Sequence, residues 1–194
     1  MQGGFPVDDK KLILDQAAHE TFLEHGYKST NISEIAKRAG IAVGSFYKYY
    51  QSKEEVFLEI YIRENENVRK QLIDKIDWTG EPVNVVDELF TYSLDFVLNN
   101  KIIAEWNNPA ISKILHEHYY SESGTKNYTF HQFLSNTFQE RLKQASYDED
   151  IIEKILKVFD FIYYIDCHIT GNDFEGYSEA LRTLVRYFIK GIFA

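Results

Sequence analysis

The chain has a single cysteine, Cys167, and only three prolines, Pro6, Pro82 and Pro109, in 194 residues. One thiol permits no intrachain disulfide, which removes the stapled secreted scaffolds and fits a reducing compartment. No run approaches the roughly 18 consecutive apolar residues that a membrane helix needs. The opening MQGGFPVDDKK places no apolar stretch behind a basic start, so no secretory signal is expected and the expected setting is cytoplasmic. Also missing are a phosphate loop, a Rossmann glycine pattern, a nucleophile elbow and a His-Glu-x-x-His run. No catalytic residue, no cofactor and no enzymatic activity are expected.

Basic side chains are in deficit, with 21 Lys and Arg against 30 Asp and Glu and a formal net charge of −9. The deficit is unevenly spread. Residues 1–53 carry seven bases and six acids, a balance of +1, which leaves −10 for the remainder; within 28–53 five bases meet only Glu34. A basic island on an acidic chain is the footprint of a polyanion-binding face. Its second half is GIAVGSFYKYYQSK at 40–53, with three tyrosines, two lysines and no acid.

With so few breakers, the apolar residues recur at helical rather than alternating spacing, and an all-α chain is predicted. Residues 8–25 put Ile13, Leu14, Ala17, Ala18 and Phe22 on one stripe, closed by Gly26. Asn31 with Glu34 three residues on is a variant capping box for a second helix, whose face is Ile32, Ile35, Ala36 and Ala39 and whose stop is Gly40. A short third helix is expected over 43–50, and Ser52 with Glu55 caps a long fourth through about Lys75. Beyond it, DWTGEP, NNP, SESGTKN and TGNDFEG delimit helices near 83–99, 101–119 with a break at Pro109, 126–146, 148–169 and 176–192. The predicted domains are 1–53, a three-helix head, and 54–194, a larger helical body.

Two short helices joined by a glycine-led turn describe a helix-turn-helix, whose second helix enters the DNA major groove. Ile35, Ala36, Ile41 and Phe46 account for the inward side, which leaves Val43, Gly44, Ser45, Tyr47 and Lys48 outside. Tyr47, Lys48, Tyr49 and Lys53 are expected phosphate donors, which fix register without reading sequence. Base reading falls to Val43, Ser45 and Lys48.

TNISEIAKRAGIAVGSFYKYYQSKEEVF at 30–57, with the helix-one pattern ILDQAAHETFLEHGYKST before it, resembles the helix-turn-helix of the tetracycline-repressor (TetR) family of bacterial transcription regulators. The resemblance covers roughly residues 10–60. It implies a homodimer in which N-terminal heads bind a double-stranded operator, a C-terminal domain holds a small-molecule effector, and the last two long helices form the dimer interface. Carried over by position, the DNA contacts fall on Thr30, Ser33, Val43, Gly44, Ser45, Tyr47, Lys48, Tyr49 and Lys53. Two positions depart from the family pattern: Ala42 lacks the Ser or Thr that caps the recognition helix, and Tyr49 stands where histidine is frequent.

Each sharp reading has a plainer one beside it. Tyr50 is expected in the core, and Lys53 is either a DNA contact or half of a surface ion pair. HEH at 116–118 and DCH at 166–168 hold metal-ligand types, yet residues two apart on a helix point to different sides, so no metal site is expected. Aromatic walls with a few polar groups suit a ligand pocket, and Tyr92, Phe96, Trp106, Tyr128, His131, Tyr164 and His168 are the candidates. Ile151, Ile155, Phe159 and Ile162, and Leu181, Leu184, Val185, Phe188 and Ile192, form stripes that pack either inside one subunit or across a two-fold axis. A ligand-binding or protein-interaction module whose head has lost DNA binding is the alternative function.

Overall fold

The computed structural model describes residues 7–120 and 129–194. Every regular element among them is helical: α1 (Val7–Ser29), α2 (Ile32–Arg38), α3 (Val43–Phe46), α4 (Lys53–Lys75), α5 (Pro82–Asn99), a 3-10 helix (Ile103–Asn107), α6 (Ser112–Tyr120), α7 (Thr129–Gln144), α8 (Glu149–His168) and α9 (Tyr177–Ile192). The all-α expectation holds. The third helix is shorter than predicted, a single turn. Beyond Phe46 the chain tightens, with the amides of Tyr49 and Tyr50 both donating to the Phe46 carbonyl at 2.9 and 3.1 Å. The break foreseen at Pro109 is real and lies between the 3-10 helix and α6.

Contacts divide the chain into two compact units. The first takes residues up to Val68 together with Asp95–Leu115, and the second takes Arg69–Leu94 with His116–Ala194. The division therefore falls inside α4 and not after Lys53. Its cause is local: Val56, Phe57, Ile60 and Tyr61, on the first half of α4, are buried with Leu14, Ala18, Phe22, Ile35 and Phe46. Phe57 meets Phe22 edge-on at 4.9 Å and Tyr27 at 5.0 Å. Of the predicted α1 stripe only Ile13 is exposed, while Asp15 and Thr21 lie inside. Asp15 is kept there by partners: Tyr50 donates its hydroxyl to it at 2.5 Å, and Lys11 reaches it at 3.1 Å. Burial, then the hydrogen bonds to Asp15 and Glu59, push the Tyr50 hydroxyl far above its ordinary value, so it remains a neutral donor.

The second unit is built on Val86, Phe138, Leu142, Ile152 and Ile189. Ile155, Phe159, Val185, Phe188 and Ile192 pack against that cluster, so the greater part of both predicted stripes is internal packing. Other large apolar side chains of the two helices are left exposed. They are Ile151, Val158, Phe161 (62%) and Tyr164 on α8, and Leu184 and Tyr187 (66%) on α9.

Candidate nucleic-acid interface

The helix-turn-helix is set by hydrogen bonds that the sequence names. Asn31 sits in extended backbone and its Oδ1 accepts the Glu34 amide at 2.9 Å, capping α2. Gly40 adopts φ +68 after α2, a conformation that favours glycine, and lets the Ile41 amide return to the Ala36 carbonyl at 2.9 Å. Ala42 occupies the N-cap of α3 in extended backbone and makes no side-chain cap. Ser52 accepts the Glu55 amide at 3.2 Å and Glu55 accepts the Gln51 amide, which fixes the entry into α4.

Phe46 and Tyr50 face inward and are buried, and they orient the turn of helix between them. Val43, Gly44, Tyr47 and Lys48 are exposed, Ser45 and Tyr49 half-buried, and Ser33 exposed at the start of α2. Seven of the nine residues expected to contact DNA thus share the surface of α2, α3 and the turn that follows. An exposed apolar Val43 beside a bare Gly44, with hydroxyls and an ammonium around them, can contact base edges and phosphates but offers no reactive group.

The other two are placed differently. Thr30 is 2% exposed, and its hydroxyl donates to the Gly26 carbonyl at 2.8 Å, so it braces the chain after α1 and is not presented outward. Lys53 turns its ammonium onto the Tyr27 and Thr30 carbonyls at 2.9 and 3.0 Å and over the Tyr27 ring at 4.1 Å. It is a cap for the end of α1, not half of a glutamate pair. A hydroxyl or an ammonium reports a donor in the sequence but not its direction, which depends on carbonyls freed some 25 residues away.

Sequence reasoning missed the residues that hold this region from the far side. Glu105 on the 3-10 helix accepts the Tyr27 amide at 2.7 Å, and a Cβ on Gly26 would come within 2.9 Å of the same carboxylate, which would have to shift. Lys101 donates to the Glu24 carbonyl at 2.5 Å, and Asn100 donates to Glu64, which meets His19 at 2.8 Å. The hydrogen bond from His19 holds the Glu64 carboxyl below its ordinary range, Asn100 assists, and partial burial opposes them. The sequence places Lys101 and Glu105 in a helix near 101–119, but a charged or amide side chain carries no periodic signal of the partner it will find.

The ligand candidates are divided between the two units. Phe96 and Trp106 belong to the first unit, where Trp106 stacks on Tyr61 at 6.2 Å, and Tyr92, His131, Tyr164 and His168 belong to the second. Tyr92 lies under the Lys75 ammonium at 3.8 Å. His131 pairs with Asp160 at 3.1 Å and packs on Phe159 and Tyr163. Tyr164 is exposed and stacks on His168 at 3.7 Å. Tyr128 falls outside the described residues. An open apolar groove in the second unit, about 380 Å³, is lined instead by Ile165, Ile169, Phe174, Tyr177, Leu181 and Leu184 among others. Burial, then the neighbouring Asp166, push the Cys167 thiol up to about 12, and among the described residues no three His, Cys, Asp or Glu side chains are arranged to hold a metal ion.

Comparison with known proteins agrees with this geometry. A sequence profile described as "Bacterial regulatory proteins, tetR family" matches residues 13–60, from α1 through the first turns of α4. The HTH-type transcriptional regulator YhgD of Bacillus subtilis is 38% identical over 76 residues, 39% of this chain and 37% of its own. The HTH-type transcriptional regulator AcrR of Shigella flexneri is 30% identical over 89 residues, 45% of this chain and 41% of its own. The matched stretch thus spans about two-fifths of these relatives. In fold, the chain is similar to a TetR-like transcriptional regulator from Rhodococcus sp. RHA1, with a TM-score of 0.50 at 19% identity over 96% of this chain and 97% of that one. It is also similar to a regulator assigned to the same family from Mesorhizobium loti, with a TM-score of 0.55 at 19% identity over 97% of each. Residues 13–60 thus match the helix-turn-helix of the tetR family of bacterial regulatory proteins, and the all-helical fold that carries them is similar to that of solved chains assigned to that family.

Proposed function

We propose that the protein binds a palindromic DNA operator as a homodimer, represses transcription from it, and is released when a small molecule occupies the second unit. The observation that carries the DNA reading is the exposure pattern of α3: Phe46 and Tyr50 buried, and Val43, Gly44, Tyr47 and Lys48 outward, in the most basic stretch of an acidic chain. The exposed apolar side chains of α8 and α9 support the dimer, because association across a two-fold axis would cover them. A dimer places two recognition helices about one helical turn apart, roughly 34–36 Å, or a multiple of it. A ligand releases DNA to the extent that it prefers the conformation in which that spacing is wrong.

The test is fluorescence anisotropy with duplexes from around the protein's own gene at several salt concentrations. Affinity should fall with salt at a log–log slope near −0.9 per phosphate neutralised, and Lys48→Ala should flatten the slope by about one phosphate. A salt-independent response, or no binding to any duplex at low salt, overturns the reading and favours a module without DNA binding.

A further inference from the structure

Three glycines stand in or beside the helix-turn-helix, and two have reasons inside the chain. Gly26 adopts φ +73 against Glu105, and Gly40 adopts φ +68 at the turn. Gly44 has neither reason. It is within α3, and a Cβ added to it would meet no other atom within 4 Å. Glycine in a helix costs up to about 1 kcal/mol relative to alanine, so the use of this bare backbone lies outside the chain, in something that comes close to it.

What comes close is defined by the neighbours. The first residues of a recognition helix are those that reach base edges, and here they are Val43, 40% exposed, and Gly44. Val43 has no hydrogen-bonding atom in its side chain. The stretch 40–50 contains no Arg, Asn or Gln, and of the side chains whose paired hydrogen bonds read guanine or adenine it holds only Lys48, five positions beyond Val43. The apolar group that the major groove offers is the thymine C5 methyl. Resting on the reading of α2 and α3 as the DNA-binding element, we propose that Val43 is a specificity-determining residue that reads a thymine: its isopropyl group packs on the 5-methyl while bare Gly44 lets that base edge approach.

The test starts from duplexes enriched by the full-length protein from a random library at low salt. Thymines of the enriched half-site are then replaced one at a time by deoxyuridine, which removes only the methyl. One position per half-site should weaken wild-type binding about four-fold, the effect of burying one methyl-sized group. Val43→Ser should bind the thymine and uracil duplexes alike, and Val43→Thr, which keeps one methyl, should retain part of the preference. Melting curves establish that both variants fold. If duplexes are enriched but no thymine methyl matters, or Val43→Ser keeps the full preference, the inference falls and the regulator reading stands. If no duplex is enriched, the regulator reading falls and takes the inference with it.

Discussion

Ala42 shows how much one side chain controls at the residue scale. Its backbone is already extended, as an N-cap requires, and the amide it would serve is that of Ser45 three residues on. Ala42→Ser should therefore stabilise the protein by about 1 kcal/mol, seen as a higher urea midpoint with an unchanged slope. Gly44→Ala should also stabilise, by about 0.5 kcal/mol, and yet weaken DNA binding, since the methyl group fills open space in the free protein and meets the duplex in the complex. A fall in melting temperature, or unchanged affinity, would refute that pairing. The same change at Gly26 should have the opposite sign: a left-handed backbone and a carboxylate 2.9 Å away make Gly26→Ala destabilising by about 1–3 kcal/mol. Residues such as Phe46, Tyr50 and Asn31 were legible in the sequence because periodicity and cap spacing give them a direction. Thr30 and Lys53 were not, because a polar side chain can satisfy itself on either side of the backbone.

Among elements, α1, α2 and α4 were readable from their stripes and caps, whereas for residues 103–107 the sequence offered a helix but neither its 3-10 form nor the contact that Glu105 makes with the end of α1. Glu105→Ala leaves the Tyr27 amide without its carboxylate and should cost about 1–3 kcal/mol, read from chemical denaturation. Glu64 makes the neighbouring link sensitive to acid. Its folded carboxyl titrates below the ordinary 4.5, so its contribution is complete above that pH and is lost as pH falls through the lower folded value. Denaturation midpoints from pH 6 down to pH 3 should fall less steeply for Glu64→Gln than for wild type; parallel curves would show that the link with His19 and Asn100 contributes nothing.

For the whole molecule, spacing announced an all-helical chain, but apolar stripes did not reveal which of their faces would be spent internally. Ile152 and Ile189 enter the core, and the outward faces are left to Phe161 and Tyr187. Phe161→Glu with Tyr187→Glu should give a folded monomer by sedimentation, with operator affinity falling steeply because two half-sites are no longer held together. A persistent dimer would place the subunit contact elsewhere.

The bond between Tyr27 and Glu105 joins residues 78 apart in sequence, and this limits modularity. The family signature ends at residue 60, so a graft cut to that signature would transplant the reading head without the carboxylate that closes its first helix. On the ribosome, likewise, the head emerges long before the residue that secures it, and its last increment of stability arrives only when synthesis has passed the middle of the chain.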